Sequence, residues 1–329
     1  MTRFETPTTF KPAQVAEIMV EHGIVKHNTR GDKIFLKAVL AGVMLSFGGL
    51  LDEIISGGSA GITANNPGLV KVLGGAVFPV GLIMIILQGF ELLTSNMMIF
   101  PMACLKGAVP WWGLPWNWFL GMSAVISTRY PLTNWTLVTF GNLCGSLFFA
   151  AVLTKYSGII STEPYISYAQ DFALKKAQEP EWYQIFLRGI GCNWLVCVAV
   201  WQAAGAHDTL SKIVATWIPI MIFVSASFDH VIANMFSVPL GILFGADLTV
   251  AEYIRKSLIA SYLGNIVGAL IVALPATYLW LGDYHAGGLR EVEEGETLNG
   301  GARLNGDGDS SHETKNGKAG EEIFEVAPR

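Results

Sequence analysis

His230 is the one histidine set deep in a long apolar run, and the residues around it form a pattern that occurs twice. One copy reads Phe90-Glu91-Leu92-Leu93-Thr94-Ser95-Asn96-Met97 and closes with Pro101; the other reads Phe228-Asp229-His230-Val231-Ile232-Ala233-Asn234-Met235 and closes with Pro239. Phenylalanine, an acid, asparagine, methionine and proline keep the same spacing in both. An acid and an amide inside a bilayer-spanning segment are costly in hydrocarbon, so they must face a cavity or mark an interrupted helix. Two matching interruptions in the two halves of a chain point to a substrate pathway. A buried imidazole is cheaper neutral than charged, while a passing anion favours its protonated form, which makes His230 a candidate proton partner in mid-path. Its competing role is structural, bonded to backbone groups that the break sets free. Thr94 in the first break, and Asn193 in Gly191-Cys192-Asn193-Trp194, are uncharged groups able to orient His230, touch a substrate oxygen or join helices. Glu91, Asn96, Asp229 and Asn234 suit the support of interrupted backbone, the two asparagines as caps and the two acids as partners of exposed amides.

The elements that must position these residues are membrane helices. The 329-residue chain is 52% hydrophobic and only 14% charged, too little polar surface for a soluble core of that size. Apolar stretches lie at roughly 35 to 56, 69 to 100, 133 to 155, 185 to 205, 213 to 244 and 257 to 281, each near or above the ~20 residues of a spanning helix. The second and fifth are overlong and hold the breaks. Residues 1–34 are polar and proline-punctuated, which predicts a cytoplasmic segment near the headgroups rather than a cleaved leader. Basic residues precede the first span and the loop 56–69 has none, so both termini are expected in the cytoplasm, on either side of a pore domain over 35–282. Residues 283–329 are rich in Gly, Glu, Asp and Asn, the composition of a disordered tail.

The duplication extends beyond the breaks. Phe35-Leu36-Lys37-Ala38 matches Phe186-Leu187-Arg188-Gly189, and Gly141-Asn142-Leu143-Cys144-Gly145 matches Gly264-Asn265-Ile266-Val267-Gly268. A repeat of three spans has an odd number of crossings, so the second copy must be inverted about an axis in the membrane plane. The small-xxx-small glycine pairs suit close helix packing. The tryptophans between Val109 and Trp118 suit an interfacial anchor. Cys104, Cys144, Cys192 and Cys197 lack metal-ligand spacing and are expected as small buried hydrophobes, with no metal or other cofactor. Asn134-Trp135-Thr136 fits a glycosylation acceptor, but its place on the cytoplasmic side predicts no glycan.

The two break motifs, together with Arg188-Gly189-Ile190-Gly191-Cys192-Asn193-Trp194-Leu195-Val196-Cys197, closely resemble the signatures of the formate/nitrite transporter family over about Thr8 to Gly282, most like its fungal nitrite carriers. The resemblance implies an all-α, aquaporin-like fold of six spans in a three-plus-three inverted repeat, five protomers around a central axis and a pore in each. It also implies roles: His230 as central histidine, Thr94 as loop threonine, Asn193 as pore asparagine and Lys176 as vestibule lysine, with Lys175 as rival. Phe78, Leu82, Leu93, Val196 and Phe223 match its hydrophobic constrictions. Asp229 departs from the glutamate of many relatives, and the tryptophan-rich stretch has no counterpart role. The expected function is transport of a small monovalent anion, nitrite first and formate next, with a proton, across the plasma membrane. Two other readings fare worse. A water or neutral-solute pore lacks Asn-Pro-Ala pairs at the breaks. An integral-membrane enzyme using His230, Asp229 and Glu91 lacks a nucleophile, metal cluster or cofactor loop. No nucleic-acid partner is implied.

Overall fold

The breaks are where the sequence places them, and each is built the same way. A computed structural model describes residues 9–110, 131–282 and Tyr284, with backbone alone for Pro131, Leu132 and Thr133. Helix α1 (Pro12–Asn28) precedes the long α2 (Gly31–Gly58), a short α3 (Ala60–Asn65), and α4 (Pro67–Val77) running into α5 (Val80–Gln88). After the first break comes α6 (Leu93–Leu105), then α7 (Pro131–Phe148), prolonged by a π-helical stretch Phe149–Tyr156, and α8 (Tyr165–Ala177). The second half holds α9 (Trp182–Gly205) and α10 (Thr209–Ser225), then the second break and α11 (Val231–Leu243). The last helix, α12 (Ile259–Trp280), follows a π-helical turn over Tyr253–Leu258. Among the described residues there is no strand beyond the single bridge between Thr9 and Ala206.

Gly31–Gly58, Pro67–Gln88, Asn134–Tyr156, Trp182–Gly205 and Val250–Trp280 are long and apolar enough to cross a bilayer. As expected, the overlong fifth stretch is divided by its break into α10 and α11, of 17 and 13 residues, just as the second is divided into Pro67–Gln88 and α6. Phe35, Leu36, Phe47, Phe140, Phe148, Leu187, Trp194, Ile218, Ile222, Leu274 and Tyr278 all point outward and are exposed on the single chain. That much outward apolar surface fits lipid or a neighbouring subunit, not water.

The inverted repeat is visible atom by atom. A Cβ at Gly145 of α7 would overlap the carbonyl of Val39 on α2, and one at the equivalent Gly268 of α12 would overlap the carbonyl of Ile190 on α9. Both glycines are therefore required by backbone-to-backbone contact, as their spacing suggested. Each half thus clamps its first helix against its third, and the helix after each break packs on the third helix of the other half, α6 on α12 and α11 on α7.

Two expectations need revision. Helix α1 does not simply lie at the headgroups: Ala13, Val15, Ala16, Met19, Val20 and Gly23 are buried in the body of the protein, largely against α6 and α9. Burying a side chain such as Met19 or Val20 contributes about 1.5–3 kcal/mol, enough to hold an otherwise polar helix in place. Cys104, Cys192 and Cys197 are buried free thiols, but Cys144 is exposed on α7. A small hydrophobe is as stable facing lipid as facing core, so polarity could not separate the two. Trp111, Trp112, Trp116 and Trp118 of the expected anchor lie outside the described residues, as does the tail apart from Tyr284, whose hydroxyl donates to Glu21 at 2.8 Å.

Candidate functional site

Each break needs one residue in left-handed backbone to end the preceding helix. Gly89 takes that role at φ +65°, and in the second copy the equivalent residue is Ser227 at φ +61°. Extended residues follow before Leu93 and Val231 restart the helix. In hydrocarbon such freed amides and carbonyls need partners from within the protein.

The partners come from α7 and α12. Asn142 accepts from the Leu93 amide at 3.1 Å and donates to the carbonyls of Glu91 at 2.9 Å and Ala38 at 2.8 Å. Asn265 repeats every bond: it accepts from the Val231 amide at 2.9 Å and donates to Asp229 at 3.0 Å and Gly189 at 2.9 Å. Both asparagines are fully buried. These two residues are the principal site elements that reading the motifs separately overlooks. Their signal is the Gly-Asn-x-x-Gly match between the halves, in which the glycines serve packing and the asparagine between them serves the break.

Asn96 and Asn234, expected as backbone caps, hold the acids instead. Asn96 donates to Glu91 at 2.9 Å and to Asn134 at 2.8 Å, while Asn234 donates to Asp229 at 3.3 Å and to Ser257 at 3.4 Å. Asn134 of the glycosylation-like triplet is thus buried and bonded within the protein. Each acid also has a lysine. Lys26, from α1, meets Glu91 at 2.7 Å, and Lys176, from α8, meets Asp229 at 3.1 Å. Lys176 donates as well to the carbonyls of Ser227 at 3.1 Å and Phe228 at 3.0 Å. Burial separates it from its rival: Lys176 is buried and Lys175 exposed.

His230 sits where the two breaks meet. Its Nδ1 accepts from the Ala233 amide at 3.0 Å, capping α11, and its Nε2 lies 2.9 Å from Thr94 Oγ1 of the other break. Because Nδ1 accepts, a neutral ring carries its proton on Nε2 and donates it to Thr94. Asn193 donates to the carbonyls of Thr94 at 3.2 Å and Asn265 at 2.8 Å, and its Oδ1 is buried with no partner. His230, Thr94 and Asn193 therefore form one cluster drawn from three elements, the start of α11, α6 and α9.

A cavity of about 590 Å³ reaches His230 of this cluster. Phe78, Phe223 and His230 line its inner end, Phe223 lying 5.7 Å from the Phe78 ring and 5.9 Å from the imidazole. Leu82, Leu93 and Val196 are buried in the surrounding core and do not line this cavity. Lys71, Lys175, Lys176 and Arg188 line its walls together with Asp52 and Glu53, so the basic groups outnumber the acids there. Among the described residues no His, Cys, Asp and Glu are grouped to hold a metal ion.

Residues 13–126 and 121–279 match the profile of the family described as Formate/nitrite transporter. A "Probable formate transporter" of Methanothermobacter thermautotrophicus is 37% identical over 83% of this chain and 98% of its own. "Formate channel BtFdhC" of Bacillus thuringiensis is 34% identical over 78% of this chain and 90% of its own. A solved "Pentameric formate channel with formate bound" superimposes with a TM-score of 0.61 at 30% identity, over 76% of this chain and 96% of that one. With that likeness the fold is the aquaporin-like fold of these channels. The duplicated breaks, the histidine joining them and the matched length all agree: this chain is a multi-pass membrane protein of the formate/nitrite transporter family.

Proposed function

We propose that the protein moves a small monovalent anion, nitrite or formate, together with a proton, along a path through each protomer of a homopentamer. Its setting is the plasma membrane, with both termini in the cytoplasm. The observation that carries this reading is the single ionisable ring held between Thr94 and Phe223 at the closed end of a basic cavity. A charge is expensive between apolar rings, whereas the neutral acid of nitrite or formate is not. Net movement is then anion plus proton. The relatives named for formate, and the five-subunit channel with formate bound, support a substrate of this size and the pentamer.

The division of labour follows from the geometry. Lys176 spends much of its charge on Asp229 and on two carbonyls, so it fixes the second break while Lys71, Lys175 and Arg188 add to the attraction for anions. Both ring nitrogens of neutral His230 are occupied, which favours water as the deliverer of the proton. His230 orients the Thr94 hydroxyl, whose own O–H donates to the passing acid, and the unpartnered Oδ1 of Asn193 accepts a bond from it. Glu91, Asn96, Asp229 and Asn234 hold the breaks open. Leu82, Leu93 and Val196, packed in the core outside this cavity, form the apolar constrictions of the rest of the path.

The test is uptake into proteoliposomes of purified protein, with nitrite, formate and lactate offered separately and compared with protein-free liposomes. Faster uptake of nitrite or formate supports the reading. Uptake of water or glycerol alone, or turnover of a substrate without transport, refutes it.

A further inference from the structure

Glu53 is a buried ionisable group to which nothing above gives a role. It lies in α2, only 4% exposed, and both carboxyl oxygens lack a hydrogen-bond partner although the residue lines the basic cavity. Its neighbour Asp52 is bonded to Ser56 at 2.9 Å. Around the same cavity stand Tyr168, which lies beside both acids, and Lys176 on α8, Lys71 on α4, Arg188 on α9 and His230 at the inner end.

A bare carboxylate in that position would have no donor to stabilise it and would repel the anions that the basic walls attract. As the carboxylic acid, the same group bears no charge and carries one O–H donor free to turn toward the cavity that the residue lines. We propose that Glu53, in its acid form, donates a hydrogen bond to a small oxoanion waiting in the vestibule ahead of the Phe78–Phe223 constriction. The ligand class is a carboxylate or nitrite of one to a few heavy atoms, and the inference rests on the anion-transport reading given above. No bond to substrate is made or broken and the proton stays on Glu53. Its part is to offset the desolvation of the anion, with Lys176 and Arg188 supplying charge and Glu53 direction.

The closest neutral replacement separates this from other roles. In proteoliposomes, Glu53→Gln keeps a donor of similar size and is expected to leave the half-saturating formate and nitrite concentrations within about threefold of wild type. Glu53→Leu, which offers no donor, is expected to raise them at least tenfold, with the maximal rate per folded protein changed much less. An unchanged half-saturation in Glu53→Leu overturns the assignment. So does a Glu53→Gln variant as impaired as Glu53→Leu, since that outcome requires an ionisable carboxyl. If Glu53→Leu does not assemble, infrared difference spectra of wild type against Glu53→Gln decide. The acid C=O stretch must be present in wild type, absent in the variant and shifted by added formate; a carboxylate band in its place refutes the proposal. Wild-type protein that transports neither anion would instead defeat the function itself.

Discussion

Replacing Asn142 or Asn265 with leucine should damage the protein to the same extent from opposite halves. In each case the leucine fits roughly the same volume but removes one acceptor and two donors at a buried break. The amide of Leu93 and the carbonyl of Glu91 lie outside any regular helix, so they lose partners that nothing else replaces. Each such group costs about 1–3 kcal/mol. Ala38 suffers less, because its carbonyl lies within the regular helix α2. The sum is about 2–6 kcal/mol, or a fall of roughly 10 °C in the melting temperature of a chain this long. The same reasoning applies to Val231, Asp229 and Gly189 in the other half. The assay is thermal unfolding of detergent-purified protein followed by size-exclusion chromatography, with the outward-facing Cys144→Ser as the neutral control. Two leucine variants melting within a degree or two of wild type would refute the view that these asparagines hold the breaks. A large loss in one and none in the other would refute their equivalence.

Other consequences are as direct. Lys26→Met leaves Glu91 buried with its charge unpaired, which should loosen α1 by about 1–3 kcal/mol after allowing for the partial exposure of the lysine; hydrogen exchange of α1 amides reads this out, and adding Glu91→Gln should restore much of the protection. Ser227 occupies a left-handed conformation that costs a non-glycine residue about 1 kcal/mol. Ser227→Gly should therefore raise the melting temperature by a few degrees, and a lower value would show that the hydroxyl has a role of its own. Gly145→Leu should abolish assembly of folded protein, since the side chain must displace the Val39 backbone; normal expression and elution of that variant would contradict the helix contact.

The breaks were legible because charge and amide in an apolar run have few explanations, and their repetition leaves fewer. The alignment of the two halves likewise foretold the glycine contacts, for a missing side chain at fixed spacing is a direct statement about distance. What escaped was pairing over long separations. Lys26 is polar in a polar segment, and nothing local shows that it reaches Glu91, 65 residues on. Asn142 and Asn265 stood in a recognised repeat, yet their targets are backbone atoms, which carry no sequence signature. The buried stripe of α1, from Ala13 and Ala16 to Met19, Val20 and Gly23, was readable at helical spacing. Its small residues gave it little contrast with the polar ones between. Glu53 lay in an apolar span as plainly as Glu91 did, but lacked a duplicate to call attention to it.

The most direct test of the transport account is the internal pH of proteoliposomes clamped at zero membrane potential and given an inward nitrite or formate gradient. Wild-type protein should acidify the lumen well above the rate of protein-free liposomes, one proton for each anion, and His230→Phe, folded and pentameric, should slow this at least tenfold. Anion entry without acidification by the wild type, or undiminished acidification by His230→Phe, would contradict it.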